Sequence, residues 1–215
     1  MRVVILGPPG AGKGTQARLL MQRFGVPHIS TGDILREAQH NGSRLGREAA
    51  RYMAQGQLVP DDVVIGIVEK RVATPDCAAG FVLDGFPRTV RQAEALDSML
   101  ARQGGPLDAV IVIEVPREEL VRRLAGRRVC RRCGAMFHAE LDPPAQPGVC
   151  DRCGGELYQR EDDREETIRR RLDISEREMG PLVNHYRDAG LLRETVGTGS
   201  REDVFARLAA IVRDQ

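Results

Sequence analysis

The sequence predicts an α/β fold, a doubly wound parallel sheet of about five strands flanked by helices and interrupted by two insertions. Three observations predict it. Short β-branched runs alternate with longer amphipathic stretches, the pattern of a parallel sheet with helices on both faces. A glycine-rich loop, Gly7-Pro8-Pro9-Gly10-Ala11-Gly12-Lys13-Gly14-Thr15, follows the first such run and opens the first helical stretch. Four of the five cysteines form two C-x-x-C pairs inside a segment that has no long apolar period.

Taken in order, residues 3–6, 81–83, 109–115 and 191–196 have strand composition, with His28-Ile29 a weaker fifth. Helical spacing marks residues 14–24, 44–55, 61–73, 89–102, 117–124, 165–188 and 201–213; in the last, Val204, Leu208 and Ile211 recur on one face. Residues 30–59 show helical patterns without a clear strand, which predicts a helical insertion. Residues 126–163 are rich in Cys, Pro, Gly and Arg and predict a small metal-stapled insertion. The core is then residues 1–29, 60–125 and 164–215.

Composition excludes several classes. With 215 residues the chain makes one or two domains and can bury a core. Lys and Arg number 32 against 31 Asp and Glu, a net charge of +1 that argues against a general nucleic-acid or membrane-surface binder. No apolar run approaches the ~20 residues of a membrane helix, and Met1–Gly7 is too short for a signal-peptide core. C-x-x-C pairs suit a metal in a reducing compartment, so a cytoplasmic protein is expected. Among the 32 basic residues only Lys13 and Lys70 are lysines, which makes a lysine inside the glycine loop worth explaining.

That loop is a phosphate site in the making. Glycines let consecutive backbone N–H groups turn inward, the helix N-terminus adds partial positive charge, and Lys13 brings a compact ammonium on a flexible stem. The strict P-loop pattern places Ser or Thr directly after the lysine to help hold Mg²⁺. Gly14 stands there instead and Thr15 follows one residue late, so a carboxylate elsewhere is expected to serve the ion. Asp84, at the end of an apolar run and before Gly85-Phe86-Pro87-Arg88, fits that need through water, and Arg88 fits a phosphate. Alone, Asp84 would read as a helix cap or turn residue.

Gly7–Thr15 together with the 81–92 segment FVLDGFPRTVRQ strongly resembles the adenylate kinase family of nucleoside monophosphate kinases. The resemblance continues through Ser30–Arg36, Gly56–Asp61, Gly126-Arg127-Arg128 and Asp162–Thr167 and so covers nearly the whole chain in order. It implies a P-loop core that binds ATP, a nucleoside-monophosphate-binding insertion at 30–59, and a lid at 126–163 that closes over ATP. Gly10, Ala11, Gly12, Lys13, Gly14, Thr15, Arg123, Arg127, Met136, Phe137 and Gly199 match ATP-binding positions. Thr31, Arg36, Gln57, Leu58, Val59, Gly85, Phe86, Pro87, Arg88 and Gln92 match AMP-binding positions. Arg123, Arg160 and Arg171 match arginines that gather phosphates, the last two also bordering AMP. The implied reaction is Mg²⁺-dependent and reversible, ATP and AMP giving two ADP, by a monomer with no nucleic-acid or membrane partner. Lys13, Arg88, Arg123, Arg160 and Arg171 are its candidate catalytic cations, as phosphoryl transfer needs several charges around one point.

Cys130 and Cys133 with Cys150 and Cys153 make C-x₂-C-x₁₆-C-x₂-C, which suits a closed tetrahedral structural Zn²⁺ site. Two disulfides are the alternative, and iron or cobalt would also fit four thiolates. The segment has few apolar residues, so a metal would supply its stability. Cys77 is expected to be a buried thiol outside the motif. His28, His40, His138 and His185 carry no constellation. Seven arginines between Arg117 and Arg132 beside the cysteines raise a different class, a zinc-ribbon nucleic-acid-binding ATPase; the acidic residues that follow and the sparse aromatics weigh against it. The nearer rival is a kinase of UMP, CMP or GMP, from which only the base pocket around residues 30–59 and Gln92 would separate this chain.

Overall fold

A computed structural model describes residues 1–103 and 105–213. Positions 104, 214 and 215 of the expected core lie outside the described residues. Strand β1 (Arg2–Leu6) is followed by α1 (Lys13–Phe24), β2 (His28–Ser30), α2 (Thr31–His40), α3 (Arg44–Ala54) and α4 (Asp61–Val72). Then come β3 (Phe81–Asp84), α5 (Val90–Arg102), β4 (Ala109–Glu114) and α6 (Arg117–Ala125). Three short strands, β5 (Arg127–Cys130), β6 (Met136–His138) and β7 (Leu157–Tyr158), precede the long helix α7 (Glu165–Asp188), β8 (Leu192–Val196) and α8 (Arg201–Arg213).

The main sheet has five parallel strands in the order β2-β3-β1-β4-β8. β1, β3 and β4 read as unbroken apolar runs because helices cover both of their faces. Alternate residues serve two cores. Val4, Leu6, Leu83 and Val110 pack with α4 and α5, whereas Val3, Ile5, Val82 and Ile111 pack with α1, α6 and α8. α7 serves both, placing Ile168 and Leu172 in one core and Leu182 and Tyr186 in the other.

Two strands end later than their apolar content predicts. Ser30 and Asp84 pair across β2 and β3, so both polar residues belong to the sheet at its carboxyl edge. Ser30 also caps α2, its hydroxyl accepting from the backbone N–H of Asp33. The predicted helical insertion is the pair α2 and α3. The cysteine-bearing segment is a three-stranded antiparallel sheet, β6-β5-β7, around a core of only Cys130, Ala135, Cys150 and Leu157. Ligands of open α/β sheets bind beyond the carboxyl ends of the strands where successive connections diverge. Here β1 and β3 are neighbours, yet β1 leads to β2 on one side and β3 to β4 on the other.

Candidate active site

Beyond those strand ends lies a cavity of about 380 Å³. The loop after β1, the α2–α3 pair, the turn after β3, the small sheet and α7 all contribute to its wall. It gathers Gly10, Gly12, Lys13, Gly14, Thr15, Thr31, Arg36, Gln57, Leu58, Val59, Asp84, Gly85, Pro87, Arg88 and Gln92. It also gathers Arg123, Arg127, Met136, Phe137, Arg160 and Arg171. Three matched residues are not in the wall. Ala11 and Phe86 are buried beneath it, and Gly199 sits beside Asp203 and Arg207 in the loop before α8. That loop is joined to the site at one remove, since Arg123 Nη2 donates to the Gly197 carbonyl at 3.1 Å.

α1 begins at Lys13, so its N-terminus opens at the cavity. Lys13 Nζ donates to the carbonyls of Gly7 (2.7 Å) and Pro8 (2.9 Å), closing the loop on itself. Burial brings the ammonium down to about 8; Asp84 opposes that shift, and Arg88, Arg171 and Arg127 add to it. The structure also accounts for Gly14. A Cβ at that position would sit 3.1 Å from Asp84 Oδ2, so the carboxylate occupies the ground a Ser or Thr side chain would need. Asp84 lies 3.5 Å from His28 Nε2. Burial works to raise the Asp84 pKa, but His28 and Lys13 outweigh it and hold the carboxyl below the usual range. Gly85 follows in the left-handed region at φ +80°, where its carbonyl accepts from Thr31 Oγ1 (2.9 Å) and Arg88 Nε (2.8 Å).

The arginines converge from separate segments. Arg127 grips Asp163 with Nε at 2.7 Å and Nη2 at 2.5 Å, and Arg171 Nη1 reaches the same carboxylate at 3.1 Å. Arg171 also meets the Asp162 carboxylate at 3.0 Å. Arg160 has no carboxylate nearer than Asp33 at 4.0 Å, and its buried Nε has no hydrogen-bond partner among the described residues. Burial first, and then the like charges of Arg36 and Arg127, bring Arg160 down to about 10. Arg88 is likewise lowered, by burial and then by Arg171. Like charges collected in one cavity with too few carboxylates describe a receptor for polyanions.

The comparisons with known proteins agree. A family model described as adenylate kinase matches residues 5–191. The chain is 58% identical over 208 residues to the adenylate kinase of Carboxydothermus hydrogenoformans, covering 97% of each chain. It is 60% identical over 198 residues to that of Moorella thermoacetica, covering 92% of this chain and 91% of the other. The chain belongs to the adenylate kinase family. It is a phosphotransferase, and the convergent cations are what that chemistry needs. The relative from Archaeoglobus fulgidus, also named adenylate kinase, is 52% identical over 212 residues, with 99% of this chain and 98% of that one covered.

Within the family, the cysteine cluster fits the zinc-bearing lid form. Sγ atoms of Cys130 and Cys153 lie 3.5 Å apart, those of Cys133 and Cys150 3.6 Å, and all four within 4.8 Å of one another. These separations are far beyond the ~2.05 Å of a disulfide bond. They match the ~3.8 Å edges of a tetrahedron built on ~2.3 Å metal–sulfur bonds, so the four thiols could hold a metal ion. Cys77 is buried apart from them, against Arg71 and Thr74.

Sequence reasoning assigned no role to several residues that shape this site. Asp163 anchors two arginines without lining the cavity, Glu119 holds Arg123 Nε at 2.9 Å, and Ile174, Ser175 and Met179 of α7 complete the wall. Pairing partners of this kind carry no spacing signal. The Asp162-Asp163 pair directly before an arginine-rich helix was the one available clue.

Proposed function

We propose that this family member transfers the γ-phosphoryl group of ATP to AMP, reversibly giving two ADP. One observation carries the reading. Lys13, Arg36, Arg88, Arg127, Arg160 and Arg171 meet on one cavity, and among the described residues Lys13 and Arg88 have no carboxylate within 4.0 Å and Arg160 has one only at that limit. The relatives, all named adenylate kinases, support the same reaction.

In this reading the ATP phosphates lie on Gly10–Thr15 at the start of α1, and the AMP phosphate lies between Arg36 and Arg88. An AMP phosphate oxygen attacks the γ-phosphorus as the bond to the β,γ-bridging oxygen breaks, and ADP departs on each side. No covalent enzyme intermediate forms. Mg²⁺ enters with ATP and neutralises phosphate charge, and Asp84 is the carboxylate suited to hold it through water. Lys13 gives up loop carbonyls for phosphate oxygens, and Arg127, Arg160 and Arg171 stabilise charge spread over the moving group. Segments 30–59 and 126–163 close over the nucleotides and exclude water, which would otherwise hydrolyse ATP.

The ion for the four cysteines is a structural Zn²⁺, in keeping with a donor set of thiolates alone and no open position. Gln92, an amide in the cavity wall, supports AMP over other monophosphates. The enzyme is read as a cytoplasmic monomer serving adenine nucleotide homeostasis and nucleotide biosynthesis, with no nucleic-acid or membrane partner. Free thiols suit a reducing compartment, and no helix among the described residues is long and apolar enough to cross a membrane. The test is ADP formation from MgATP with AMP, GMP, CMP and UMP in turn. AMP is expected to be the strong acceptor, and the reading fails if no monophosphate accepts phosphate.

A further inference from the structure

The amide of Gln92, 1% exposed in the cavity wall, is held at both ends. The backbone N–H of Arg88 donates to Oε1 at 2.8 Å, and Nε2 donates to Asp61 Oδ1 at 2.6 Å. The other oxygen of Asp61 is fixed too, accepting from Thr89 Oγ1 at 3.0 Å. Thr89 caps α5, its hydroxyl accepting from the Gln92 backbone N–H at 3.2 Å. Asp61 at the head of α4 is thereby locked to the head of α5.

These partners leave the amide a single orientation. A backbone N–H only donates and an ionised carboxylate only accepts. A flip would set Nε2 against the Arg88 N–H and Oε1 against the Asp61 carboxylate, losing two buried hydrogen bonds and opposing like poles. An amide has two N–H donors and two lone pairs. The protein uses one of each, which leaves one donor and one acceptor in fixed order at the cavity wall.

Purines differ in that order. Adenine carries an amino group at C6 and a bare acceptor nitrogen at N1, whereas a 6-oxopurine carries an acceptor oxygen at C6 and an N–H at N1. An amide free to flip would meet either edge equally well. We infer that Asp61 sets the base specificity of the monophosphate site, by fixing the Gln92 amide in the orientation that meets a 6-aminopurine and opposes a 6-oxopurine. Asp61 acts through Gln92 and touches no nucleotide; it is a positioning residue. The inference rests on the AMP assignment proposed above.

The test compares kcat/KM for AMP, IMP and GMP, with MgATP, in the wild type, Asp61→Asn and Asp61→Ala. Asn presents either an oxygen or an N–H and Ala presents neither, so both variants remove the carboxylate half of the lock and leave the amide held by the Arg88 N–H alone. IMP is the decisive acceptor, because it has the 6-oxo edge without the 2-amino group of guanine. The wild type is expected to reject IMP and GMP alike, and both variants to raise the IMP-to-AMP ratio by about tenfold or more. A ratio taken on one preparation is independent of the fraction folded, so a destabilised variant still reports. An IMP-to-AMP ratio within about twofold of wild type in both variants overturns the inference. Wild-type enzyme that accepts IMP while rejecting GMP also overturns it, needs no variant, and leaves the AMP assignment standing. Wild-type enzyme with no activity on AMP overturns the assignment itself.

Discussion

Arg127 and Asp163 form a buried two-bond pair: Nε and Nη2 of the guanidinium hold the two oxygens of a carboxylate whose side chain is 0% exposed. Asp163 also takes Arg171 Nη1, so one buried anion fixes two cations that line the cavity while staying out of its wall itself. Nη1 of Arg127 and Nη2 of Arg171 make no hydrogen bond among the described residues. Those are the N–H groups left for phosphate. Replacing Asp163 by Asn keeps the shape and removes the charge, leaving two buried guanidiniums opposed. The expected cost is about 3–5 kcal/mol, read by urea denaturation. Because phosphate restores the missing charge, MgATP should raise the melting temperature of the variant more than that of the wild type. An equal rise in both would show that Asp163 is not a counter-charge for the phosphate arginines.

Lys13→Met should separate turnover from stability. The ammonium bonds only loop carbonyls, and the attraction of Asp84 is outweighed by burial together with Arg88, Arg171 and Arg127, so the folded protein loses little when the charge goes. Charge stabilisation of the moving phosphoryl group is lost in full, and kcat should fall by about 10²–10³. Stability by urea denaturation should stay within about 1 kcal/mol of wild type. A variant with near-normal turnover would remove Lys13 from the chemistry.

The same lysine predicts a pH profile with a definite sign. Burial, reinforced by the arginines and opposed by Asp84, brings its pKa down from 10.5 to about 8. The free enzyme therefore loses the charge it needs as pH rises through about 8, and kcat/KM for ATP should decline there. Stability moves the other way. Between about 8 and 10.5 the unfolded chain binds more protons at this position than the folded one, so this group's contribution to stability rises with pH. The contribution should vanish in Lys13→Met. Flat kcat/KM from pH 7 to 10 would contradict it.

The parallel sheet was legible in the sequence because its central strands are buried on both faces and so appear as continuous apolar runs. What hydropathy missed were the polar strand ends. Ser30 and Asp84 complete β2 and β3 through backbone pairing, which no side-chain pattern reports. α2 was not delimited either, because Thr31–His40 offers only Ile34, Leu35 and Ala38 as apolar residues. In the site, the glycine loop could be read directly, since close backbone approach restricts the residue types allowed, whereas the DGFPR turn took its meaning from the resemblance. The anchors could not. Arg127 and Asp163 lie 36 positions apart, and Gln92 and Asp61 lie 31, so neither pairing has a spacing signal, although both acids fall in segments that carry the resemblance. The resemblance at Gly199 selected a loop outside the cavity wall, joined to the site through the Gly197 carbonyl and Arg123.

Metal removal should act on one part of the molecule. The small sheet buries only four residues in its own core, two of them cysteines, while each face of the main sheet buries an extended cluster. Apolar burial cannot hold those three short strands, whereas a structural Zn²⁺ supplies about 10–16 kcal/mol of binding free energy to small domains of this kind. Chelation is therefore expected to melt β5, β6 and β7 and to leave β1, β3 and β4 folded. Amide hydrogen exchange resolves the two regions: protection should vanish between Arg127 and Tyr158 and persist in the main sheet. Activity should fall with it, since Arg127, Met136 and Phe137 of the cavity wall lie within that segment. Unchanged exchange there, after metal loss is verified by elemental analysis, would show that the four thiols do not depend on an ion to hold the fold.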